Sequence, residues 1–257
     1  MSEPKFFTRN YVNENTVFTM SHGASNTDRL YDGDKASQYQ TSGANDDTTQ
    51  ITIEAEFYEA GVAVSRTVDY VILLNHNFDD YDIDYWDGSA WQDWTAVGSG
   101  VGGGNSVVSV TSQSVTKFRV RVTVASVEDA EKVLGQLIAC ELKLDVGVEM
   151  TEYRIEPRER SNFLTMGDGS LHKTINRHSQ NRTDKYEARI RFKYMTEGQL
   201  EALLSLVNEG LSVIWQPESS QRPDEVYHVN FSGGLKRQYS SLYKGAGFDA
   251  ELFLREV

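Results

Sequence analysis

The residues most able to do chemistry lie between positions 79 and 94. Asp79, Asp80, Asp82, Asp84 and Asp87 crowd carboxylates together, and Tyr81, Tyr85, Trp86, Trp91 and Trp94 interleave aromatic rings with them. Carboxylates hold calcium when six to eight oxygens converge on one point, and a pair of them across a cleft hydrolyses glycosides. Neither pattern is complete, because no Asp-x-Asp-x-Asp-Gly loop with a closing glutamate is present. Asp82 and Asp84 alternate with apolar residues, so this stretch reads as a strand whose acidic face is solvated and free of metal. Flat rings with polar tips also suit sugar rings. Tyr81 and Tyr85 alternate regularly and read as core or cross-strand partners, whereas Trp91 and Trp94 stay candidates for glycan or partner contacts.

Other chemistry is thin. The five histidines, His22, His76, His172, His178 and His228, form no HExxH, and the single Cys140 excludes a CxxC zinc pair and an intrachain disulfide. There is no P-loop and no Gly-x-Ser-x-Gly elbow. Gly100-Val101-Gly102-Gly103-Gly104 lies between β segments without a following helix, so it reads as a hairpin loop and not a phosphate cradle. No catalytic, cofactor-binding or metal-ligating residue is expected, and the chain is read as a non-enzyme. Cys140, on an apolar strand, reads as a small buried hydrophobe.

The elements that must carry these residues are mostly strands. Ile51–Phe57, Tyr81–Tyr85 and Phe118–Val124 alternate apolar and polar residues, as a sheet with one buried face requires. Val68–Leu74 is continuously apolar, as in a strand buried on both faces. Tyr186–Tyr194 alternates again, placing Glu187, Arg189, Arg191 and Lys193 on one face and Tyr186, Ala188, Ile190, Phe192 and Tyr194 on the other. One helix is clear: Thr196 and Gln199 form a capping box, Leu200, Leu203, Leu204 and Val207 repeat at helical spacing, and Gly210 suits the C-terminal stop. Val127–Leu134 is a weaker helical turn, and Gly167-Asp168-Gly169 a hairpin turn.

Among the 257 residues, 39% are hydrophobic and 25% charged, a globular composition. The net charge of −13 argues against nucleic-acid backbones and anionic membranes. No apolar run is long enough to insert in a membrane, and the start lacks a secretory core. The charge is uneven: residues 1–145 carry 10 Lys and Arg against 22 Asp and Glu, residues 146–257 carry 15 against 16. That shift divides the chain into two units, 1–146 and 147–257, the second with its helix near 196–209.

The first unit resembles the discoidin-like, galactose-binding-like β-sandwich through Leu30-Tyr31-Asp32-Gly33-Asp34, Thr41-Ser42, Val71–Asn77, Tyr85–Trp91, Phe118–Val122 and Leu134–Leu137, in that order. The second is similar to siphophage distal tail and minor tail proteins through Tyr186–Tyr194, the helix, Val213–Pro217, Asp224–Val229 and Tyr239–Val257. The resemblance implies a mainly β fold: a jelly-roll sandwich followed by a tail-tube-like β-sandwich with one flanking helix. It implies a structural virion protein at the phage tail tip, assembled in the host cytoplasm. There it forms a homo-oligomeric ring, a hexamer or a trimer, between tail tube protein and the tail hub or baseplate, with tail fibres as further partners. Arg177, His178 and Arg182 are then candidates for the subunit interface. The alternative is a glycan-binding adsorption module without a ring role, with cell-surface glycan as its partner.

Overall fold

The computed structural model describes residues 3–23, 26–33, 37–43, 46–97, 102–128, 130–147, 150–157, 161–165, 171–175, 186–219, 222, 224–240 and 247–256. The fold is mainly β with one α-helix, as the alternation implied. Among the described residues all strand pairs are antiparallel. A four-stranded sheet runs in the order Gly104–Val115, Arg66–His76, Val133–Cys140 and Tyr39–Gln40. A five-stranded sheet runs Val17–Met20, Ile51–Glu56, Lys117–Ala125, Phe78–Trp86 and Trp91–Val97. Their inward residues, among them Ile51, Ile53, Val71, Leu73, Ile83, Phe118, Val120 and Leu137, share one core.

A third sheet has eight strands. Its path is Leu142–Asp145, Lys5–Phe7, Val213–Gln216, Tyr227–Phe231, Gly247–Glu256, Tyr186–Met195 and Met150–Pro157, with Lys236–Ser240 also paired to Gly247–Glu256. Strands from both ends of residues 1–146 therefore lie in a sheet otherwise built beyond residue 147. The helix Glu197–Glu209 packs on this sheet. Its capping box is formed, with Gln199 N donating to Thr196 Oγ1 at 3.3 Å and Thr196 N to Gln199 Oε1 at 2.9 Å. Gly210 ends it with φ 64°. Leu200, Leu203 and Leu206 are buried, while Leu204 and Val207 are only partly covered, so the buried stripe is turned from the expected one.

Strand Tyr186–Met195 buries Ala188, Ile190 and Phe192 as expected, but not Tyr194. The register shifts between Phe192 and Met195, Tyr194 takes φ 60°, and Met195 goes inside in its place. A bulge adds one residue and so flips the face of everything after it. Gly247 lies against this bulge: a Cβ there would come within 2.7 Å of the Tyr194 Cα, so a side chain has no room.

The four-stranded sheet is covered on both sides. Val71, Leu73, Leu137 and Ala139 face the sandwich core, and Ile72, Leu74, Ile138 and Cys140 face a second cluster with Phe7, Ile214 and Val226. The double burial read from Val68–Leu74 is thus observed. Cys140 is fully buried, and burial pushes its thiol pKa well up. Ala130 N donates to Val127 O at 3.2 Å, and Val133 opens a strand; among the described residues no helix occurs there. Ser161–Thr165 and Leu171–Ile175 pair as a hairpin. The expected turn at Gly167-Asp168-Gly169, and Arg177, His178 and Arg182, lie outside the described residues.

Leu203→Ala is expected to cost about 2–5 kcal/mol, like other truncations of buried leucines; urea unfolding of the variant measures it. The Cys140 thiol is expected to stay unlabelled by a maleimide until the protein unfolds.

Candidate functional site

The outer face of the five-stranded sheet is a ladder of charge. Register places Arg119 opposite Asp84 on one side and Glu54 on the other, and Arg121 opposite Asp82. The basic column of Lys117, Arg119 and Arg121 is thus flanked by acidic columns, the arrangement that cross-strand pairing rewards. Asp84 sits at its centre. Its Oδ2 accepts from Arg119 Nε and Arg121 Nε, each at 2.6 Å, and its Oδ1 accepts from an Arg121 terminal nitrogen at 3.0 Å. Arg121 also reaches Asp82 at 3.3 Å, and Lys117 reaches Glu54 at 2.9 Å.

This corrects the expectation for Asp84. Both aspartates do point outward, but Asp84 is 0% exposed, while Asp82 stays partly open. The two guanidiniums lie over the Asp84 carboxylate. Burial pushes its pKa up, but the hydrogen bonds from Arg121 and Arg119 outweigh that and hold the carboxyl below its ordinary range. A carboxylate so committed is a poor calcium ligand and a poor general acid or base. Among the described residues no three His, Cys, Asp or Glu side chains are grouped to hold a metal ion.

The tryptophans divide between the faces. Trp94 lies 9% exposed in the core, its ring 5.3 Å from Tyr85 and its indole N–H donating to Thr111 O at 2.6 Å. Its expected surface contact is therefore not available. Trp91 and Trp94 are three residues apart on one strand, and that odd spacing already separates their faces. Trp91 stays on the outer face beside Trp86, centroids 5.5 Å apart at 68°. The Arg119 guanidinium lies 4.3 Å from the Trp91 centroid, and the Lys117 ammonium 4.7 Å from Trp86 and 5.2 Å from Trp91. Both indoles stay partly exposed.

A tight turn presents this pair. Asp87 Oδ1 accepts from the Ser89 and Ala90 backbone N–H groups, each at 2.7 Å, and Gly88 takes φ 102°. Those bonds hold the Asp87 carboxyl down to about 2. Tyr81 is core, as its alternation implied. His76 is a structural histidine: its Nδ1 accepts from Phe78 N at 3.0 Å, its Nε2 meets Ser106 Oγ at 2.8 Å, and burial lowers its pKa to about 4. The glycine loop is anchored by Gly102 N donating to Asp79 Oδ1 at 3.1 Å.

Comparison with protein-family profiles finds no match, and comparison with curated proteins finds none either. Solved structures do match, and those named here are carbohydrate-binding modules. A family 32 module from Clostridium perfringens, in complex with galactose, is 8% identical with a TM-score of 0.43, covering 54% of this chain and 99% of that one. Chitosan-binding module 1 from Paenibacillus sp. IK-5, a selenomethionine-labelled V110M mutant, is 17% identical with a TM-score of 0.43, covering 51% and 97%. A family 32 module from Streptococcus pneumoniae is 13% identical with a TM-score of 0.42, covering 51% and 99%. At these scores the likeness assigns no ligand and no residue role here.

Asp84→Asn is expected to cost about 2 kcal/mol, because it weakens the charge-assisted bonds of a buried carboxylate to two guanidiniums that stay 24% and 23% exposed. Asp93→Asn, which removes a carboxylate that is itself 92% exposed and only grazes Arg121 at 3.4 Å, is expected to cost less than about 0.5 kcal/mol. A lowered pKa means that the folded state binds fewer protons, so the Asp84 contribution is complete above the ordinary value of 3.8 and is lost as pH falls below it. Urea unfolding of wild type and Asp84→Asn at pH 7 and pH 3 is expected to show the gap narrowing.

Proposed function

We propose that this protein is a non-catalytic glycan-binding module that contacts sugar through the Trp86–Trp91 hairpin tip. The observation that carries the reading is the outward, partly exposed indole pair with two cationic donors beside it. Indole faces accept the C–H side of a pyranose ring, and neighbouring guanidinium and ammonium groups donate to its hydroxyls. The carboxylate pairing that a hydrolase would need is already engaged, since Asp84 is held by two arginines and Asp82 by one. The structural neighbours are named for glycan binding, in keeping with this class of function.

A second reading is a ring-forming structural protein of the phage tail tip, located in the virion. It draws on the hairpin Ser161–Thr165/Leu171–Ile175, which pairs with no other strand among the described residues and follows Met150–Pro157, the last strand of the eight-stranded path. Such a hairpin is a ready contact for a neighbouring subunit or a tail protein. Size exclusion with mass detection tests it: a hexamer or trimer supports a ring, and a monomer at high concentration contradicts it.

The glycan reading is tested on a panel of immobilised polysaccharides and soluble galactose and chitotriose. At least one glycan is expected to bind, and Trp91→Ala to weaken it about tenfold, roughly 1.4 kcal/mol, with the fold retained by circular dichroism. No binding across the panel, or binding indifferent to Trp91 and Trp86, contradicts it.

A further inference from the structure

A recessed surface lies where the chain passes from the eight-stranded sheet into the sandwich. Residues 8–16 run there as a strap beside strand Val133–Cys140. Thr8 N donates to Glu141 O at 2.8 Å, and Tyr11 N to Ala139 O at 2.9 Å. The Asn10 side chain donates to Leu137 O at 3.0 Å and accepts from Val12 N and Ala139 N at 3.0 and 3.1 Å. Asn13 accepts from Asn15 N at 2.8 Å and donates to Tyr11 O at 3.1 Å. A wall fixed at so many points is preorganised, so a ligand seated on it loses little affinity to ordering.

Beside the strap opens a cleft of about 370 Å³, in the roughly 300–1,000 Å³ range of small-molecule sites. Arg9, Glu14, Tyr31 and Tyr58 line it from the strap and sandwich, and Ser212 and His228 from the other unit. Among the described residues, the Arg9 guanidinium, the Glu14 carboxylate and the hydroxyls of Tyr31, Tyr58 and Ser212 make no hydrogen bond or ion pair with protein groups. Asn10 and Asn13, by contrast, are used up in holding the wall. Arg66, also in the lining, is answered by Glu59 at 2.7 Å.

The charges in this cleft cancel: Arg9 and Arg66 stand against Glu14 and Glu59. A ligand with net charge of either sign meets its own sign there. A polyhydroxyl ligand does not, because each hydroxyl donates to a carboxylate and accepts from a guanidinium or a phenol. The two tyrosine rings add flat apolar surface for C–H faces.

We infer that this cleft is a second ligand site, for a neutral saccharide of one or two residues, held by Arg9, Glu14, Tyr31 and Tyr58 at the junction of the two units. It uses neither indole of the hairpin tip. It shares with the proposed function only the class of ligand, so the two sites stand or fall separately.

The test is calorimetric titration of the full chain with lactose, a neutral disaccharide, and with glucuronic acid. Wild type is compared with Arg9→Gln/Tyr58→Phe and with Trp91→Phe. Tyr58→Phe is nearly isosteric, Arg9→Gln and Trp91→Phe shorten or narrow the side chain, and unchanged melting temperatures verify folding. Lactose is expected to bind more tightly than glucuronate, to weaken by about tenfold or more in the Arg9/Tyr58 variant, as loss of a charge-assisted bond implies, and to be unaffected by Trp91→Phe. No heat with lactose at high millimolar concentration overturns the cleft, as does tighter binding of glucuronate. Lactose binding that falls only in Trp91→Phe, or falls equally in both variants, also overturns the cleft and leaves the hairpin tip as the site.

Discussion

Everything in this molecule depends on a sheet that cannot face water on either side. Strands Arg66–His76 and Val133–Cys140 carry apolar side chains on both faces. The five-stranded sheet covers one. Ile72, Leu74, Ile138 and Cys140 on the other face are covered by Phe7, Ile214 and Val226. Burying a side chain of this size contributes about 1.5–3 kcal/mol, so the second face is worth several kilocalories only while Phe7, Ile214 and Val226 stay packed on it. The N-terminal strand reinforces the docking, because Lys5–Phe7 pairs with Leu142–Asp145 on one side and Val213–Gln216 on the other. The two ends of the chain are thereby sewn into one sheet.

That constraint decides which surfaces are left for function. The free face of the four-stranded sheet is spent on the junction, so the outer face of the five-stranded sheet is the broad sandwich surface still open. Most of that face is occupied by its own ion pairs. At the hairpin tip aromatic rings emerge from the ladder, where Trp86 and Trp91 cap the basic column. The junction also forces the strap to travel from one unit to the other, and the cleft is the hollow beside that path.

Much of this was legible in the residues. The apolar run at Val68–Leu74 announced a doubly buried strand, the Thr196/Gln199 box fixed where the helix begins, and Cys140 read as core. Alternation assigns faces but not neighbours, which is why Asp84 was misread. Its burial comes from Arg119 and Arg121, some 35 residues away, and their approach is a property of register. Tyr194 was misplaced because a bulge has no period. Trp94 carried a usable signal, its odd spacing from Trp91. The cleft carried none, since Arg9, Tyr58 and Ser212 meet only through the tertiary fold.

Native-state hydrogen exchange read by mass spectrometry tests most directly whether the four-stranded and eight-stranded sheets hold together as one body. Amides of strands Arg66–His76, on one side of the junction, and Val213–Gln216, on the other, are followed as urea is raised. Both are expected to exchange through the same opening, with matching free energies and matching urea dependence. If Val213–Gln216 exchanges through a lower-energy opening while Arg66–His76 keeps its full protection, the two sheets unfold independently and the packing between them is not what holds the molecule together.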